Sequence, residues 1–166
     1  MNDKNPIEHT YGEIKLSSLS FILSKFDLND KSFLDIGSGY GNTIIFVAKY
    51  YPVKKATGIE ILKSRYKISK NKITTLPTKI KDKIRFQNKN ILLFKKLNYD
   101  IIFFNNICFP NKKFTNLHYV FKKTDSILIC FKKIQVLEKF FHSSISNIGT
   151  TWSNDTNVYI YKIYKQ

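Results

Sequence analysis

The sequence predicts an α/β fold, a three-layer sandwich around a mostly parallel sheet closed by a C-terminal antiparallel strand pair. Three observations lead there. Short apolar runs alternate with stretches of helical periodicity along the chain. One run, Tyr99–Phe104, is so apolar that it suits a parallel strand covered on both faces. The run at 33–36 ends in a glycine turn, GSGYG at 37–41, and a helix-forming stretch follows at once.

Leu16, Leu19, Ile22, Leu23 and Phe26 recur at helical spacing and set a helix over Lys15–Phe26. LNDK breaks that pattern before the first strand, Ser32–Ile36. Asn42–Tyr51 reads as a helix that Pro52 ends. Val53–Glu60 is the second strand. Leu62–Leu76 is a lysine-rich amphipathic helix with Pro77 just beyond it. Ile84–Gln87 and Tyr99–Phe104 are the third and fourth strands, Phe114–Phe121 a helix, and Ser126–Phe131 the fifth strand. Val136–Phe141 and the alternating Asn157–Tyr164 form the terminal antiparallel pair. There is no internal repeat, and the lysine runs Lys79–Lys83 and Lys95–Lys96 read as solvated surface.

A chain of 166 residues fits one domain, and 43% hydrophobic with 15% aromatic content argues against global disorder. No stretch reaches the roughly 18 uncharged apolar residues of a membrane span. The polar start MNDKNPIEHTYGE carries acids and resembles no targeting signal. An intracellular protein is expected, with nucleus and cytoplasm not distinguished. The formal charge of +16 points to an anionic partner, either nucleic acid or a protein already bound to it. Arg65 and Arg85 are the only arginines, which argues against specific bidentate phosphate recognition and for non-specific phosphate contacts. Cys108, Cys130 and the three histidines show no metal-ligand spacing, so no metal is expected.

The glycine turn carries the chemistry. Glycines at 37, 39 and 41 let the chain bend sharply at a strand end and let a ligand touch its backbone. GxGxG is not the dinucleotide spacing GxGxxG, and no GK[ST] follows. Asp35 just before the turn would repel phosphates and suits a cation, such as an α-ammonium or a sulfonium. Glu60, about twenty residues on, can accept hydrogen bonds from both hydroxyls of a ribose. Amino acid, ribose and positive sulfur together describe S-adenosylmethionine.

Four stretches then resemble a known family, in its order: TYGE at 10–13, FLDIGSGYGN at 33–42, FFNNICFP at 103–110 and TTWSNDTNVYIY at 150–161. The chain resembles the catalytic core of the disruptor-of-telomeric-silencing type, non-SET histone-lysine methyltransferases. The resemblance implies a Rossmann-like class I methyltransferase with a seven-stranded sheet, residues 11–166 forming one domain behind a lead-in of residues 1–10. It implies that Tyr11, Gly12, Glu13 and Ile14 belong to a loop closing over the methionine end of the cofactor. Asp35, Gly37, Ser38, Gly39, Gly41 and Asn42 would line the cofactor pocket, Glu60 would hold the ribose, and Asn90 and Ile91 would meet the adenine. Asn105 would sit beside the methyl group, with Phe109 and Tyr159 walling the channel for the acceptor lysine.

Free lysine, with a pKa of about 10.4, is almost wholly charged at neutral pH, and an apolar channel lowers that value. Alignment and desolvation can therefore serve without a dedicated base. The chain departs from the family at four places: Asn90 stands for an acidic residue, Ile91 for an aromatic, Ile14 for a threonine and Pro110 for a glycine. Only ten residues precede Tyr11, where the family has a helical region that frames its substrate site. The expected partners are a histone or nucleosome as acceptor and nucleic acid through phosphate contacts, with no membrane, and the enzyme is expected to be a monomer. Two other readings stand beside this one: an RNA methyltransferase of the same fold, and a non-catalytic cofactor- or DNA-binding module. Asn105 and Asn106 also suit a strand cap, Phe109 a core position, Tyr159 ordinary sheet packing, and Trp152 a structural role.

Overall fold

The computed structural model describes residues 12–109, 117, 119–121 and 125–164. Parallel strands β1 (Ser32–Ile36), β2 (Lys55–Glu60), β3 (Ile84–Asn88), β4 (Ile101–Phe104) and β5 (Ser126–Cys130) are joined by β6 (Phe141–Ile148) and β7 (Thr156–Ile163). They form one sheet in the order β3-β2-β1-β4-β5-β7-β6. β7 lies antiparallel between β5 and β6, which accounts for the expected C-terminal pair. Helices α1 (Leu16–Leu23), α2 (Asn42–Tyr50), α3 (Lys63–Lys72) and the single turn α4 (Thr78–Lys81) complete the regular elements, and Leu117 and Tyr119–Phe121 are helical.

Strand alternation feeds two cores. Phe33, Ile101, Phe103, Ile129 and Val158 face the side packed by α1 and α2, through Leu19, Ile22, Ile44 and Val47. Leu34, Ile36, Ile102, Phe104, Leu128 and Tyr161 face the other side, against Leu117, Phe121 and Leu137. Every residue of β1 and β4 is buried. A period-two pattern with both faces covered appears in sequence as an uninterrupted apolar run, and this is why IIFF at 101–104 could be recognised.

Three expected elements shift, the first of them α1, which ends at Leu23 rather than Phe26. Val136–Phe141 is not a strand: Gln135–Phe140 is a 3₁₀ turn that buries Leu137 and Phe140. The partner of β7 is instead the largely polar Phe141–Ile148, an edge strand with mostly exposed or half-buried side chains. α3 stops at Lys72, short of the expected Leu76. Of the expected helix Phe114–Phe121, only 117 and 119–121 are among the described residues.

Beyond β4, Asn106 ties two strand ends together. Its side chain is fully buried. Oδ1 accepts from the backbone N–H groups of Phe131 (2.9 Å) and Lys132 (2.7 Å), and Nδ2 donates to the Lys132 carbonyl at 3.0 Å. Successive residues point to opposite sides, so fixing Asn106 inward turns Asn105 outward, and this side chain reaches the cavity described below. Asn106→Leu leaves the backbone N–H groups of Phe131 and Lys132 without their acceptor, while the Lys132 carbonyl keeps the Cys130 thiol. It is expected to cost about 2–4 kcal/mol, read as a lower urea midpoint at unchanged slope. Asn105→Ala should cost less than about 1 kcal/mol in the same melt.

Candidate active site

The strand order reverses between β1 and β4, which lie side by side while their chains continue to opposite edges. A crevice opens there at the carboxyl ends of the strands. The glycine turn forms its floor. Gly37, Gly39 and Gly41 all take positive φ, at 79°, 52° and 80°. Two of them have separate duties. A Cβ on Gly41 would meet Phe86 at 2.5 Å and Ser69 at 2.9 Å, so this glycine lets α2 and α3 close on the sheet. A Cβ on Gly37 would meet nothing within 4 Å, because it would project into open space.

The turn is bound to the end of β2. The N–H groups of Gly37 and Ser38 both donate to the Ile59 carbonyl, at 2.8 and 3.0 Å. Glu60 is buried, and its Oε2 accepts from the Gly39 N–H at 2.9 Å while Oε1 accepts from the Leu62 N–H at 2.8 Å. A carboxylate has about four lone-pair sites, so each oxygen can still accept a ribose hydroxyl. Asp35 is buried below the turn. Burial, then the nearby charges of Glu60 and Glu13, push its carboxyl from 3.8 up to about 8, against a smaller opposing hydrogen bond with Thr43. A site that raises an acid this far is short of positive charge, and a cationic ligand would supply it.

The chain entering α1 forms one rim. Glu13 Oε1 accepts from Asn42 Nδ2 at 2.8 Å, and Asn42 Oδ1 accepts from Lys72 Nζ at 2.7 Å. The Glu13 N–H donates to Thr151 Oγ1, and its carbonyl accepts from the Thr151 N–H. Ile14 bridges Thr150 and is buried in the core. Asn105 Nδ2 donates to the Gly12 carbonyl at 3.0 Å. Gly12 in turn carries the Trp152 ring, which a Cβ would meet at 2.6 Å.

Between these walls lies a cavity of about 360 Å³. Glu60, Asn90, Ile91, Arg65 and Lys89 line it at the β2 and β3 ends, Gly37 in the middle, and Gly12, Asn105, Ile107, Phe109 and Trp152 beyond β4. The structure therefore brings Gly12, Gly37, Glu60, Asn90, Ile91, Asn105 and Phe109 onto one surface. Asp35, Ser38, Gly39, Gly41, Asn42 and Glu13 stand behind it as the turn and its supports. Asn90 Oδ1 is engaged by the Leu92 N–H at 3.0 Å. Tyr159 is not on the cavity wall: it is half-buried on β7 opposite Cys130, with Lys133 Nζ 5.8 Å from its ring centre. Tyr11 lies outside the described residues. Trp152, Arg65, Lys89 and Cys108 line the cavity although the sequence reading gave them no such place.

Residues 3–159 match the family model "Histone methylation protein DOT1". The chain belongs to the DOT1 family. With that membership it is an S-adenosylmethionine-dependent methyltransferase of the Rossmann-like class, and S-adenosylmethionine is its cofactor. No curated protein matches the sequence. Among solved structures, the fold is similar to an RNA methyltransferase from Salinibacter ruber in complex with S-adenosyl-L-homocysteine, with a TM-score of 0.71 and 14% identity over 92% of this chain and 94% of that one. It is similar to the methyltransferase domain of a bacterial Hen1, CtHen1, with a TM-score of 0.69 and 16% identity over 89% and 97%. It is also similar to magnesium protoporphyrin IX methyltransferase from Synechocystis PCC 6803 with bound cofactor, with a TM-score of 0.68 and 15% identity over 88% and 76%. These likenesses are of fold.

The residues of this DOT1-family chain fit the cofactor. Gly37 leaves room at the backbone, Glu60 offers acceptors, and Asp35 lacks a cation. Gly37→Val puts a branched side chain at positive φ and into the crevice. It should weaken S-adenosylmethionine binding at least about tenfold by calorimetry, roughly 1.4 kcal/mol, while the protein still folds. Asp35 supplies a pH test. Its folded value is raised above the unfolded one, so its contribution to stability is full below about pH 4 and is lost as pH rises through about 8. Asp35→Asn should gain on the wild type in urea melts as pH rises across that window. Curves that stay parallel would contradict the burial of this carboxyl.

Proposed function

We propose that the protein is a lysine N-methyltransferase acting on a core histone or another chromatin protein. The observation that carries this is the character of the cavity beyond β4. Phe104, Ile107, Phe109 and Trp152 surround Asn105 there, in a chain whose match to the histone-methylation family covers residues 3–159.

In this reading Asp35 acts on the cationic part of the cofactor from behind the turn, Glu60 takes the ribose, Gly37 admits the backbone contact, and Asn90 and Ile91 border the adenine. Glu13, locked to Asn42, holds the rim segment that includes Gly12. When bound, S-adenosylmethionine supplies a methyl group on a positive sulfur that an amine can attack in line. The apolar wall disfavours the ammonium form of an entering lysine and so raises the fraction of free amine. Asn105 spends its Nδ2 on the Gly12 carbonyl, while among the described residues its Oδ1 faces the Ile107 N–H at a long 3.4 Å. That oxygen is left to accept from the incoming nitrogen and aim it. Phe109 and Trp152 form the channel, and Tyr159 backs it from β7. Residues 11–166 act as one domain, as a monomer.

Arg65 and Lys89 on the cavity wall favour a second reading, methylation of RNA. One assay separates the two. Labelled cofactor is incubated with nucleosomes, free histones and RNA, and the products are resolved. Label is expected in histone, with Asn105→Ala lowering the rate at least about tenfold, roughly 1.4 kcal/mol in the barrier. Label in RNA alone would overturn the lysine reading.

A further inference from the structure

Positive charge is not spread evenly over this chain. Residues 63–89 hold ten lysines and arginines, including both arginines, against one acid, Asp82. Nine of the sixteen net positive charges thus fall in one segment. This segment is α3, α4 and β3, and β3 is one of the two edge strands of the sheet.

The fold turns the segment into a ridge. Lys63, Lys67 and Lys70 follow the i, i+4, i+7 spacing of a single helix face, and all three are exposed. Their mutual repulsion weakens the helix, and no acid stands in its first turn. Lys79 on α4 and Arg85 on β3 extend the exposed charge along the same edge. At the inner end, Arg65 and Lys72 both lie over the ring of Tyr40 in the glycine turn, at 5.9 and 5.7 Å. Arg65 and Lys89 reach the cavity itself. The ridge therefore runs from the outer edge of the sheet to the β2 end of the cofactor site.

We propose that this α3–β3 edge docks the phosphate backbone of duplex DNA and so holds the enzyme beside acceptors carried on DNA. Single-stranded partners need stacking platforms among the cations. Within residues 63–89 there are none, since Tyr66 is half-buried against the core and Phe86 is buried. The rings at the inner end, Tyr40 and Phe94, are half-buried beneath Arg65, Lys72 and Lys89. A rigid row of cations without exposed rings suits a regular phosphate backbone. The inference deepens the chromatin reading, but the docking can be measured without any catalysis.

The test uses a short DNA duplex of arbitrary sequence, followed by fluorescence anisotropy over a salt series. The ridge variant replaces Lys63, Lys67, Lys70 and Lys79 with glutamine. A control of equal charge change replaces Lys25, Lys49, Lys139 and Lys162, and thermal melts verify that both fold. The ridge variant is expected to lose more than about tenfold in affinity and to lower the salt slope by about 3, with the control within about twofold of wild type. Equal loss in the two variants would overturn the proposal, since net charge rather than a built edge would then be acting. A wild-type preference for single-stranded RNA over the duplex would overturn it as well. Methylation of free histone by the ridge variant should match wild type. If wild-type protein labels no histone at all, the lysine reading fails while the anisotropy still decides the docking.

Discussion

Two carboxylates buried at the same sheet edge set the terms for everything around them. Asp35 and Glu60 end adjacent strands, so parallel pairing alone brings their charges together in poorly solvated surroundings. Such a pair is unfavourable unless hydrogen bonds or a counter-charge offset it. The chain resolves one half of the problem internally. Glu60 receives the N–H of Gly39, where the glycine turn folds back over β2, and the N–H of Leu62, two residues further along its own chain. The other half stays unresolved. Among the described residues, the hydrogen bond with Thr43 opposes the shift of Asp35, whose proton is held up to about pH 8. A fold kept in this electrostatic state would be relieved by a cation, which on the proposed reading is the sulfonium of the cofactor.

The second constraint is topological. The rim of the cavity comes from chain positions more than 130 residues apart, since Glu13 bonds Thr151 through both backbone groups. Ile14 is pulled into the core by its bridge to Thr150, and Gly12 is thereby pressed against Trp152. Asn105 then bonds the Gly12 carbonyl. Loss of any one of these ties would loosen the apolar mouth and let water into it. On the proposed reading, solvent there restores the charged form of an entering lysine, so the rim would influence reactivity as well as access.

What could be read from the sequence was whatever depends on local pattern. β1, the turn, α2 and β2 form one continuous unit in which apolar strands, glycines and a following helix are close neighbours, and Asp35 and Glu60 are fixed by their places at strand ends. The misread elements failed for physical reasons. β6 is an exposed edge strand of sequence FHSSISNI, with little hydrophobic alternation to detect. Val136, Leu137 and Phe140 mimic a strand, yet only Leu137 and Phe140 are buried, at the spacing of a 3₁₀ turn. Trp152 was visible in its motif, but its place on the cavity depends on a contact with Gly12 that no local spacing encodes. Tyr159 shows the converse: its position in the motif suggested the channel, while its pairing with Cys130 sets it in the sheet behind.

The arrangement of charge explains why one crevice can serve a cationic cofactor and a protein bearing +16. Glu60 lines the cavity at the β2 end, with Asp35 buried behind the glycine turn. Arg65 and Lys89 sit on the wall at the β2 and β3 ends, where they limit the reach of the carboxylate field toward the basic edge. Beyond β4 the wall is aromatic and carries no charge among its described residues apart from the turn below. Three zones of opposite character thus lie within one cavity: acidic for the cofactor, basic toward an anionic surface, apolar for the acceptor. On the proposed reading, an acceptor lysine arrives positively charged, is repelled by the basic end, and finds its lowest-cost entrance at the apolar end, where losing its proton is least penalised.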